Sequence, residues 1–306
     1  MKIVVTGGAG FIGSHITELL CNKRHNVVVV DDLSFGYESF VDKRATFIHG
    51  NIGDEKLMKR TLKGADIVVH LAASSIIKFS YENPLSYFEN NLLNGIKLLE
   101  VMRYNNVKKI INSSTAAVYG NPKKVPVQEN DQKKPLNTYG ASKLAFEEAL
   151  RAYYHAYGIE SVSLRYFNAF GPRDEQKPAT RAVPMWIKAV IADKPVEMYW
   201  GGKQKRDYIF VKDIAQAHID VLNVRGLHYY NIGSGNGVVM KNIAKTIEKI
   251  AGRKLQTIDK GERKGDPAKL VADISRIKKE VGWEPKISLE EGLRETYNYY
   301  KSIAYN

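Results

Sequence analysis

Two residues with the chemistry of a general base and its cationic neighbour stand in the stretch 138–143. Tyr139 and Lys143 are four residues apart at the start of a predicted helix, so their side chains share one helical face. A phenol loses its proton near pH ~10 in water, and an ammonium group beside it favours the phenolate. Tyr139 could therefore remove a proton from a substrate near neutral pH. The same spacing also occurs on solvent-exposed helices, so the surrounding elements must decide whether the pair forms a site.

The N-terminal segment has the pattern of a strand, a glycine-rich turn and a helix. A buried-strand pattern over 2–6 leads into Gly7, Gly10 and Gly13, and an amphipathic segment follows at 14–23. Glycines at this spacing let backbone amides approach a diphosphate at the helix N-terminus, where exposed N–H groups and the helix dipole favour negative charge. The segment therefore predicts a dinucleotide-binding turn.

Two carboxylates follow the second predicted strand. That strand covers 26–30 and runs into Asp31 and Asp32, at about the distance expected for a residue that binds the adenosine ribose. A carboxylate there accepts hydrogen bonds from ribose hydroxyls and repels a 2′-phosphate, so Asp31 favours NAD over NADP. A helix or turn cap is the alternative role for Asp31.

Strands and helices alternate along the first 170 residues. Four further strand patterns, separated by helix-like segments, lie at 46–49, 66–71, 109–113 and 161–166. Such alternation predicts an α/β fold with a Rossmann-like, doubly wound parallel sheet, in which ligands bind beyond the carboxyl ends of the strands. Polar or small-residue clusters follow three of these strands, at 70–73, 113–115 and 166–168. We expect the three clusters to meet at one crevice.

The regular alternation of strand and helix patterns ends after Gly171. Charged loops and prolines, among them Pro184 and Pro195, break up short segments, which predicts a domain boundary near residue 170. Residues 1–170 are therefore expected to form a Rossmann domain, and residues 171–306 a smaller C-terminal α/β substrate domain. A strand-and-helix pattern returns over about 207–234 and is expected to rejoin the first domain.

Composition limits the classes of protein to which this chain can belong. Hydrophobic residues make up 44% of its 306 residues, which suffices for a sizeable core. Cys21 is the single cysteine and the 7 histidines are scattered, so no intrachain disulfide is possible and no metal site is visible. Neither a signal-like N-terminal run nor a membrane-length apolar run is present, and a soluble, cytoplasmic protein is expected.

The formal net charge of +13 is compatible with nucleic acid, a membrane surface or an acidic small substrate as the partner. The basic residues are spread along the chain rather than gathered into one block, and the aromatic residues near them form no recognisable base-stacking motif. Neither nucleic acid nor a membrane is therefore expected as a partner.

Together these motifs resemble those of the extended short-chain dehydrogenase/reductase family, and within it the nucleotide-sugar epimerases of the UDP-glucose 4-epimerase type. The likeness covers nearly the whole chain. It depends on ordered motifs at 6–15, 31–34, 70–73, 113–120, 139–143, 164–168, 206–209 and 263–266.

The resemblance implies a reaction and the residues that perform it. Tyr139 is implied to be the catalytic base, Lys143 to bind the nicotinamide ribose and lower the pKa of the phenol, and Thr115 to hydrogen-bond the reacting sugar hydroxyl. The implied reaction is NAD-dependent 4-epimerisation of a UDP-hexose, with UDP-glucose, UDP-galactose or N-acetylated forms as substrates. A 4-keto sugar forms, rotates about its diphosphate link and is reduced on its opposite face.

Two sets of binding residues and a homodimer are also implied by the resemblance. The NAD-binding set is Gly7, Gly10, Phe11, Ile12, Gly13, Asp31, Asp32, Asn51, Ile52, Leu71, Ala72, Ala73, Asn91, Ser113, Tyr139, Lys143 and Tyr166. The set that contacts the UDP-sugar is Lys78, Thr115, Tyr139, Asn168, Val183, Arg206, Arg263, Asp266 and Leu270. The homodimer would form through the helix over 91–103 and the helix that starts at Tyr139.

Three positions depart from the pattern of the family or of its most specific members. Asn51 stands where the family usually has an aspartate next to the adenine, and segment 91–95 lacks the usual Gly-Thr ending. Leu270 aligns with a position that is often a bulky tyrosine in enzymes limited to UDP-glucose and UDP-galactose. The smaller leucine predicts tolerance of N-acetylated sugars.

The residues after Thr115 separate the implied reaction from its competitors. Sugar-nucleotide 4,6-dehydratases resemble one another in placing an Asp-Glu pair there, whereas this chain has Ala116 and Ala117, whose methyl groups cannot transfer protons. Uronic-acid decarboxylases often carry an acidic residue near the same place, and it is absent here too. A non-catalytic member of the fold that senses NAD or binds RNA is the alternative of another class; the complete Thr, Tyr and Lys set argues against it.

Overall fold

The computed structural model describes residues 1–175, 180–261 and 267–304. Its strands, in chain order, are β1 (Lys2–Thr6), β2 (Asn26–Asp31), β3 (Thr46–His49), β4 (Ile67–His70), β5 (Lys109–Thr115), β6 (Glu160–Tyr166), β7 (Asn168–Phe170), β8 (Val196–Met198), β9 (Lys205–Phe210), β10 (Leu227–Ile232), β11 (Gly237–Val239), β12 (Thr257–Asp259) and β13 (Lys269–Leu270).

The α-helices surround these strands. They are α1 (Phe11–Asn22), α2 (Glu55–Thr61), α3 (Ile77–Glu82), α4 (Pro84–Phe88), α5 (Asn94–Tyr104), α6 (Thr138–Tyr157), α7 (Ala182–Ile191), α8 (Val211–Asp220), α9 (Met240–Ala251), α10 (Ser275–Val281) and α11 (Leu289–Ala304). A π-helical turn, Glu89–Leu93, leads from α4 into α5. A 3₁₀ turn, Ala116–Tyr119, follows β5.

The larger sheet is parallel and doubly wound. Within the described residues it has 7 strands in the order β3-β2-β1-β4-β5-β6-β10. The chain moves outward from β1 to β3 on one side, then returns to β4 and moves outward on the other. The order therefore reverses between β1 and β4, which is where such sheets bind ligands. The predicted Rossmann-like α/β fold is confirmed.

Apolar side chains cover both faces of this sheet, as a parallel sheet requires. Ile3, Val4 and Val5 of β1 are fully buried because consecutive side chains point to opposite, equally covered faces. One face packs against α1 and α8, and the other against α5 and α6. The edge of the sheet where the strands end is thereby left as the open side.

The C-terminal half contains a smaller sheet and its own core. There β9 pairs with β7, β11 and β13, while α7, α9 and α11 pack around buried Trp186 and Leu293. The segment expected to return to the large sheet over 207–234 divides between the two sheets. Its strand β9 belongs to the small sheet, whereas α8 packs on α1 and β10 pairs with β6.

Pro184 lies in the first turn of α7 rather than in a break between elements. The expectation that it interrupts a segment is therefore wrong at this position. A proline is tolerated in the first helical turn because the N–H that it lacks would have no intrahelical partner there.

No helix within the described ranges is long and apolar enough to span a membrane.

Candidate active site

The glycine turn between β1 and α1 forms an anion cradle. Gly7 has a φ of 72°, in the left-handed region that glycine adopts without strain. A Cβ on Gly13 would lie 2.1 Å from the carbonyl oxygen of Gly7, so only glycine fits there. At the other side of the turn, α1 begins at Phe11 without a side-chain hydrogen bond that caps it. Its first backbone amides are therefore available to a diphosphate, and the turn fits a dinucleotide.

Asp31 fixes the geometry of this turn from the end of β2. Its Oδ2 accepts a hydrogen bond from the Ala9 amide at 2.9 Å, and its Oδ1 accepts one from the Leu33 amide at 2.9 Å. Burial raises the pKa of the carboxyl group, and the two amide hydrogen bonds oppose that rise. Each carboxylate oxygen has a second lone pair, so Asp31 can hold the turn and still accept from a ribose hydroxyl.

Asp32 and Asn51 pair across the neighbouring strand ends. Asn51 Nδ2 donates to Asp32 Oδ2 at 2.9 Å, and Asn51 Oδ1 accepts from the Gly53 amide at 2.8 Å. Both residues are exposed and line the crevice. Asn51 stands where the family usually has aspartate, and the Asp32 carboxylate, directly after β2, is its hydrogen-bond partner.

The catalytic residues predicted from the sequence lie together beyond the end of β5. Thr115 is the last residue of β5, and Tyr139 is the second residue of α6, whose N-terminus Asn137 caps by accepting from the Gly140 amide at 2.8 Å. The Thr115 side chain lies close enough to the Tyr139 hydroxyl to lower its pKa. Lys143, one helical turn further on, donates from Nζ to Ser113 Oγ at 3.3 Å.

The pKa values at this cluster differ from the expectation. Burial raises the pKa of Tyr139 above its usual value, and the hydrogen bond with Thr115 and the positive charge of Arg181 only partly oppose that rise. Lys143 is not among the groups that shift this pKa in the chain as described, so its expected effect on the phenol stays a prediction. Burial also lowers the pKa of Lys143 to about 8, against the opposing effect of the Glu147 carboxylate. Desolvation thus outweighs the local charges at both residues.

A second phenol in the crevice is held neutral. The Tyr166 hydroxyl and His218 Nε2 share a short hydrogen bond in the interior. Burial raises the pKa of Tyr166 well above its usual value, and it lowers the pKa of His218 to about 3. Tyr139 is therefore more readily ionised than Tyr166.

One crevice of about 820 Å³ contains nearly all of the residues predicted to bind cofactor or substrate. On the cofactor side these are Gly7, Gly10, Phe11, Ile12, Gly13, Asp31, Asp32, Asn51, Ile52, Leu71, Ala72, Ala73, Ser113, Tyr139, Lys143 and Tyr166. On the substrate side they are Lys78, Thr115, Asn168, Val183, Arg206 and Leu270.

Among the predicted residues that the structure describes, Asn91 is not part of that lining. Asn91 is buried behind it, where Oδ1 accepts from the Ser74 amide at 2.8 Å and Nδ2 donates to Ser142 Oγ at 3.0 Å. Its place makes it a support for the segment after β4 rather than a surface that a cofactor touches. Arg263 and Asp266 lie outside the described residues.

The substrate end of the crevice contains a buried hydrogen-bond donor without a partner among the described residues, and it contains small apolar side chains. Asn168 Nδ2 is buried and has no hydrogen-bond partner among the described residues, so a ligand oxygen would satisfy it. Leu270 lies opposite Arg206 in the register of β13 and β9. Ala116 and Ala117 line the wall next to Thr115, so no acidic side chain stands there.

Sequence patterns gave no signal for several residues of the site. Arg181 and Asp174 line the crevice and form an ion pair of 2.5 Å, but they stand in an irregular segment with no periodicity. Beneath the catalytic cluster, Glu147 and Arg165 form a buried ion pair of 2.7 Å. The spacing of Glu147 from Lys143 on one helical face would have been a signal that Glu147 lies beneath the site, but it does not predict Arg165 as its partner. Among the described residues, no group of three or more His, Cys, Asp or Glu side chains could hold a metal ion.

Comparison with known proteins agrees with this geometry. A family model described as GDP-mannose 4,6 dehydratase matches residues 4–296. A UDP-glucose 4-epimerase of Halalkalibacterium halodurans is 36% identical over 321 residues, which cover 98% of this chain and 96% of that protein.

Solved structures show the same likeness. The UDP-glucose 4-epimerase of Thermotoga maritima, determined with UDP-glucose, has a TM-score of 0.95 and 34% identity, and the match covers 99% of this chain and 100% of that one. The UDP-glucose 4-epimerase of Thermus thermophilus, determined with NAD, has a TM-score of 0.92 and 35% identity, covering 98% and 99% of the two chains. This chain belongs to the extended short-chain dehydrogenase/reductase family, among its NAD-dependent nucleotide-sugar epimerases and dehydratases.

Proposed function

We propose that this chain catalyses the NAD-dependent 4-epimerisation of a UDP-hexose. The observation that carries the proposal is the cluster of Thr115, Tyr139 and Lys143 beyond β5, next to the methyl groups of Ala116 and Ala117. The three polar side chains can hold and move one proton, whereas the alanines offer no second acid or base. This set suits an oxidation that is reversed on the other face of the sugar, and it does not suit an elimination of water.

The cofactor that the family uses fits the glycine turn. The first amides of α1 would hold its diphosphate, Asp31 the adenosine ribose and Lys143 the nicotinamide ribose. When bound, NAD supplies the group that accepts the C4 hydride and returns it. The negative charge of Asp31 disfavours a 2′-phosphate, which supports NAD rather than NADP.

Tyr139 performs the proton transfer in the proposed reaction. Thr115 hydrogen-bonds both the Tyr139 hydroxyl and the C4 hydroxyl of the sugar, and it thereby aligns the two oxygens. As the phenolate, Tyr139 takes the hydroxyl proton while the sugar becomes a 4-keto sugar. After the sugar has turned about its diphosphate link, Tyr139 returns the proton on the opposite face.

The substrate would be held firmly at its nucleotide and loosely at its hexose. Asn168 offers a buried donor, and Arg206 a guanidinium that is suited to a diphosphate. We propose Arg263 and Asp266 as further contacts to the nucleotide, so that residues 171–306 form most of the substrate domain. Leucine at position 270 leaves more room beside the sugar than tyrosine would, which supports acceptance of N-acetylated sugars.

A homodimer through α5 and α6 is part of the proposal. These helices expose large aromatic rings, with 70% of Tyr104 and 47% of Tyr157 accessible to solvent. Cations lie over both rings: Lys59 over Tyr104 at 5.0 Å and Arg103 over Tyr157 at 5.2 Å. A monomeric mass in sedimentation equilibrium at micromolar concentration would refute this assembly.

One assay tests the reaction and separates it from dehydration or decarboxylation. Purified protein is incubated with UDP-glucose, UDP-galactose and their N-acetyl forms, and the products are followed by NMR. We expect C4 epimers without loss of water or carbon dioxide. A 6-deoxy-4-keto product would indicate a dehydratase instead.

The Tyr139→Phe variant tests the assigned base. We expect a loss of epimerisation of about 100-fold or more, because general base catalysis typically contributes that much. Binding of NAD, measured by calorimetry, should be retained. Tyr87→Phe is the matched control, since Tyr87 packs edge-on against Tyr139 but donates its hydroxyl proton to the Ile76 carbonyl. If Tyr139→Phe keeps most of its activity, the mechanism is wrong.

A further inference from the structure

Asp207 is a buried carboxylate at the junction of the two sheets. It stands in β9 of the smaller sheet, directly after Arg206, and it is inaccessible to solvent. Its Oδ1 accepts hydrogen bonds from the amide and the hydroxyl group of Ser234, at 2.6 and 2.7 Å. Its Oδ2 accepts from the amides of Gly235 at 3.0 Å and Ala272 at 3.1 Å. One side chain therefore joins three segments that are distant in sequence.

These three segments belong to different parts of the fold. The amides at 234 and 235 follow the end of β10, which is an edge strand of the larger sheet. The third amide, that of Ala272, follows β13 of the smaller sheet. The two-residue ladder of β13 with β9 ends at the pair of Leu270 with Arg206. The hydrogen bond from Ala272 to Asp207 thus continues to hold this segment beyond the end of the ladder.

The four donors specify a carboxylate at position 207. An ionised aspartate has two oxygens, with about four lone-pair sites and no hydrogen to donate, and this matches two donors at each oxygen. An asparagine would present its NH2 group to one of these two pairs of donors. Donors would then face each other in the interior, where leaving a hydrogen bond unmade is costly.

The segments that Asp207 joins carry two residues of the substrate end of the crevice. Arg206 lines the crevice, and its Nη1 donates to the Ala268 carbonyl oxygen at 3.3 Å. Leu270 follows Ala268 in the same segment and also lines the crevice. The positions of the guanidinium and of the leucine side chain therefore both depend on segment 268–272, whose C-terminal end Asp207 holds.

We propose that Asp207 is a positioning residue for substrate binding, which acts through Arg206 and Leu270 by holding both at the nucleotide-sugar end of the crevice. This inference rests on the proposed function, in which these two residues contact the UDP-sugar. Asp207 itself does not line the crevice. The glycine turn lies between β1 and α1 of the larger sheet, so NAD binding should not depend on Asp207.

Asp213 provides the matched control. It is likewise a buried carboxylate that accepts from backbone amides, those of Lys286 and Ile287, both at 3.1 Å. It stands in the first turn of α8 and does not line the crevice. Asp207→Asn and Asp213→Asn therefore both replace a buried acceptor of amide hydrogen bonds, but the first alone holds a segment of the substrate end.

Calorimetry with UDP on the NAD-loaded protein measures the effect without requiring a reaction. In Asp207→Asn we expect the affinity for UDP to fall about tenfold, the size expected for the loss of one hydrogen bond to a charged group. The affinity for NAD, measured separately, should be unchanged, and Asp213→Asn should keep both affinities. An unchanged affinity for UDP in folded Asp207→Asn, or an equal fall in Asp213→Asn, would overturn the inference.

Asp207→Asn could fail to fold, so a second measurement uses the wild-type protein. Coupling between two sites is reciprocal, so if the hydrogen bonds of Asp207 favour UDP binding, bound UDP must favour those hydrogen bonds. Amide hydrogen exchange of the NAD-loaded protein is compared with and without UDP. We expect UDP to slow exchange at the three amides that Asp207 binds and not at the two that Asp213 binds. Exchange that UDP slows at neither set, or equally at both, would contradict the role of Asp207.

The assay with UDP-sugars is run in parallel and separates this inference from the proposed reaction. If the wild-type protein binds UDP but epimerises no UDP-sugar, the proposed reaction is refuted and the role of Asp207 in nucleotide binding stands. If the wild-type protein does not bind UDP, the inference and the proposed substrate are both refuted.

Discussion

At the scale of single residues, the pairing of Asp32 with Asn51 predicts the outcome of an apparently conservative change. Asn51→Asp would restore the residue usual in the family, but it would replace a donor with a second carboxylate at the 2.9 Å contact with Asp32. Two like charges at an exposed contact repel, and a hydrogen bond is lost. We expect NAD affinity to fall by about 1 kcal/mol, roughly fivefold, measured by calorimetry.

The double variant Asp32→Asn/Asn51→Asp is the control for this prediction. It exchanges the donor and the acceptor and re-forms the pair with the same net charge. Most of the lost affinity should return, and the coupling can be read from the double-mutant cycle. If the single variant binds NAD as well as the wild-type protein, the pair does not support the adenine end of the site.

Some residues of the candidate site could be predicted from the sequence and others could not, and the reasons are physical. Gly7 and Gly13 were identifiable because only glycine fits a tight turn packed against its own carbonyl groups. The direction of the pKa shift at Tyr139 was not, because it depends on desolvation by parts of the chain that are distant in sequence. Arg181 could not be found either, since the irregular segment before α7 has no period that would place a side chain.

At the scale of elements, a buried ion pair fastens α6 to the strands that carry the catalytic residues. Glu147 of α6 accepts hydrogen bonds from Ser114 Oγ of β5 at 2.6 Å and from Arg165 Nε of β6 at 2.9 Å. Arg165 Nη1 also donates to the Tyr119 hydroxyl and to the Glu129 carbonyl oxygen, both at 2.9 Å. Ser114 directly precedes Thr115 in β5, and Glu147 follows Lys143 by one turn in α6. This network therefore fixes the spacing between β5 and α6, which carry the proposed catalytic residues.

Glu147→Gln should therefore destabilise the protein by about 3–5 kcal/mol, because it leaves Arg165 as an uncompensated buried charge. The measurement is urea unfolding followed by circular dichroism. Glu148→Gln is the matched control on the same helix, since its ion pair with Arg151 is more than half exposed and should contribute little. Equal stability of the two variants would show that the interior pair does not fasten α6.

The strands and helices themselves could largely be predicted, but their partners could not. The pattern over 207–211 was recognisable as a strand, yet periodicity does not state which sheet a strand joins, and β9 pairs with β7 in the smaller sheet. Conversely, the alternation over residues 1–166 sufficed for six of the seven strands described in the larger sheet, because parallel strands that are linked by helices have few allowed topologies.

At the scale of the whole molecule, three histidines in the interior should make the protein sensitive to acid. His15, His70 and His218 are all less than 9% exposed, and burial lowers their pKa values to about 4, 3 and 3. In the unfolded chain each pKa would lie near ~6.5, so below that pH the unfolded state binds more protons than the folded state. The free energy of unfolding is therefore highest above pH ~6.5 and falls as the pH drops from there toward the folded-state pKa values.

The size of this effect can be measured from pH 7 downward. At pH 5 each histidine should have lowered the free energy of unfolding by about 2 kcal/mol, and the window between pH ~6.5 and ~5 is the clearest. Below that window, buried carboxyl groups whose pKa is raised by desolvation, such as Asp174 and Asp207, act in the opposite direction.

The His15→Gln variant tests the contribution of one histidine. We expect the number of protons taken up on unfolding to fall by up to one, so that the free energy of unfolding depends less on pH. Glutamine can still donate to the Pro172 carbonyl that His15 contacts at 3.1 Å, but it does not titrate. His155→Gln, on the exposed side of α6, should leave the slope unchanged. A slope that His15→Gln does not alter would mean that His15 takes up no proton on unfolding.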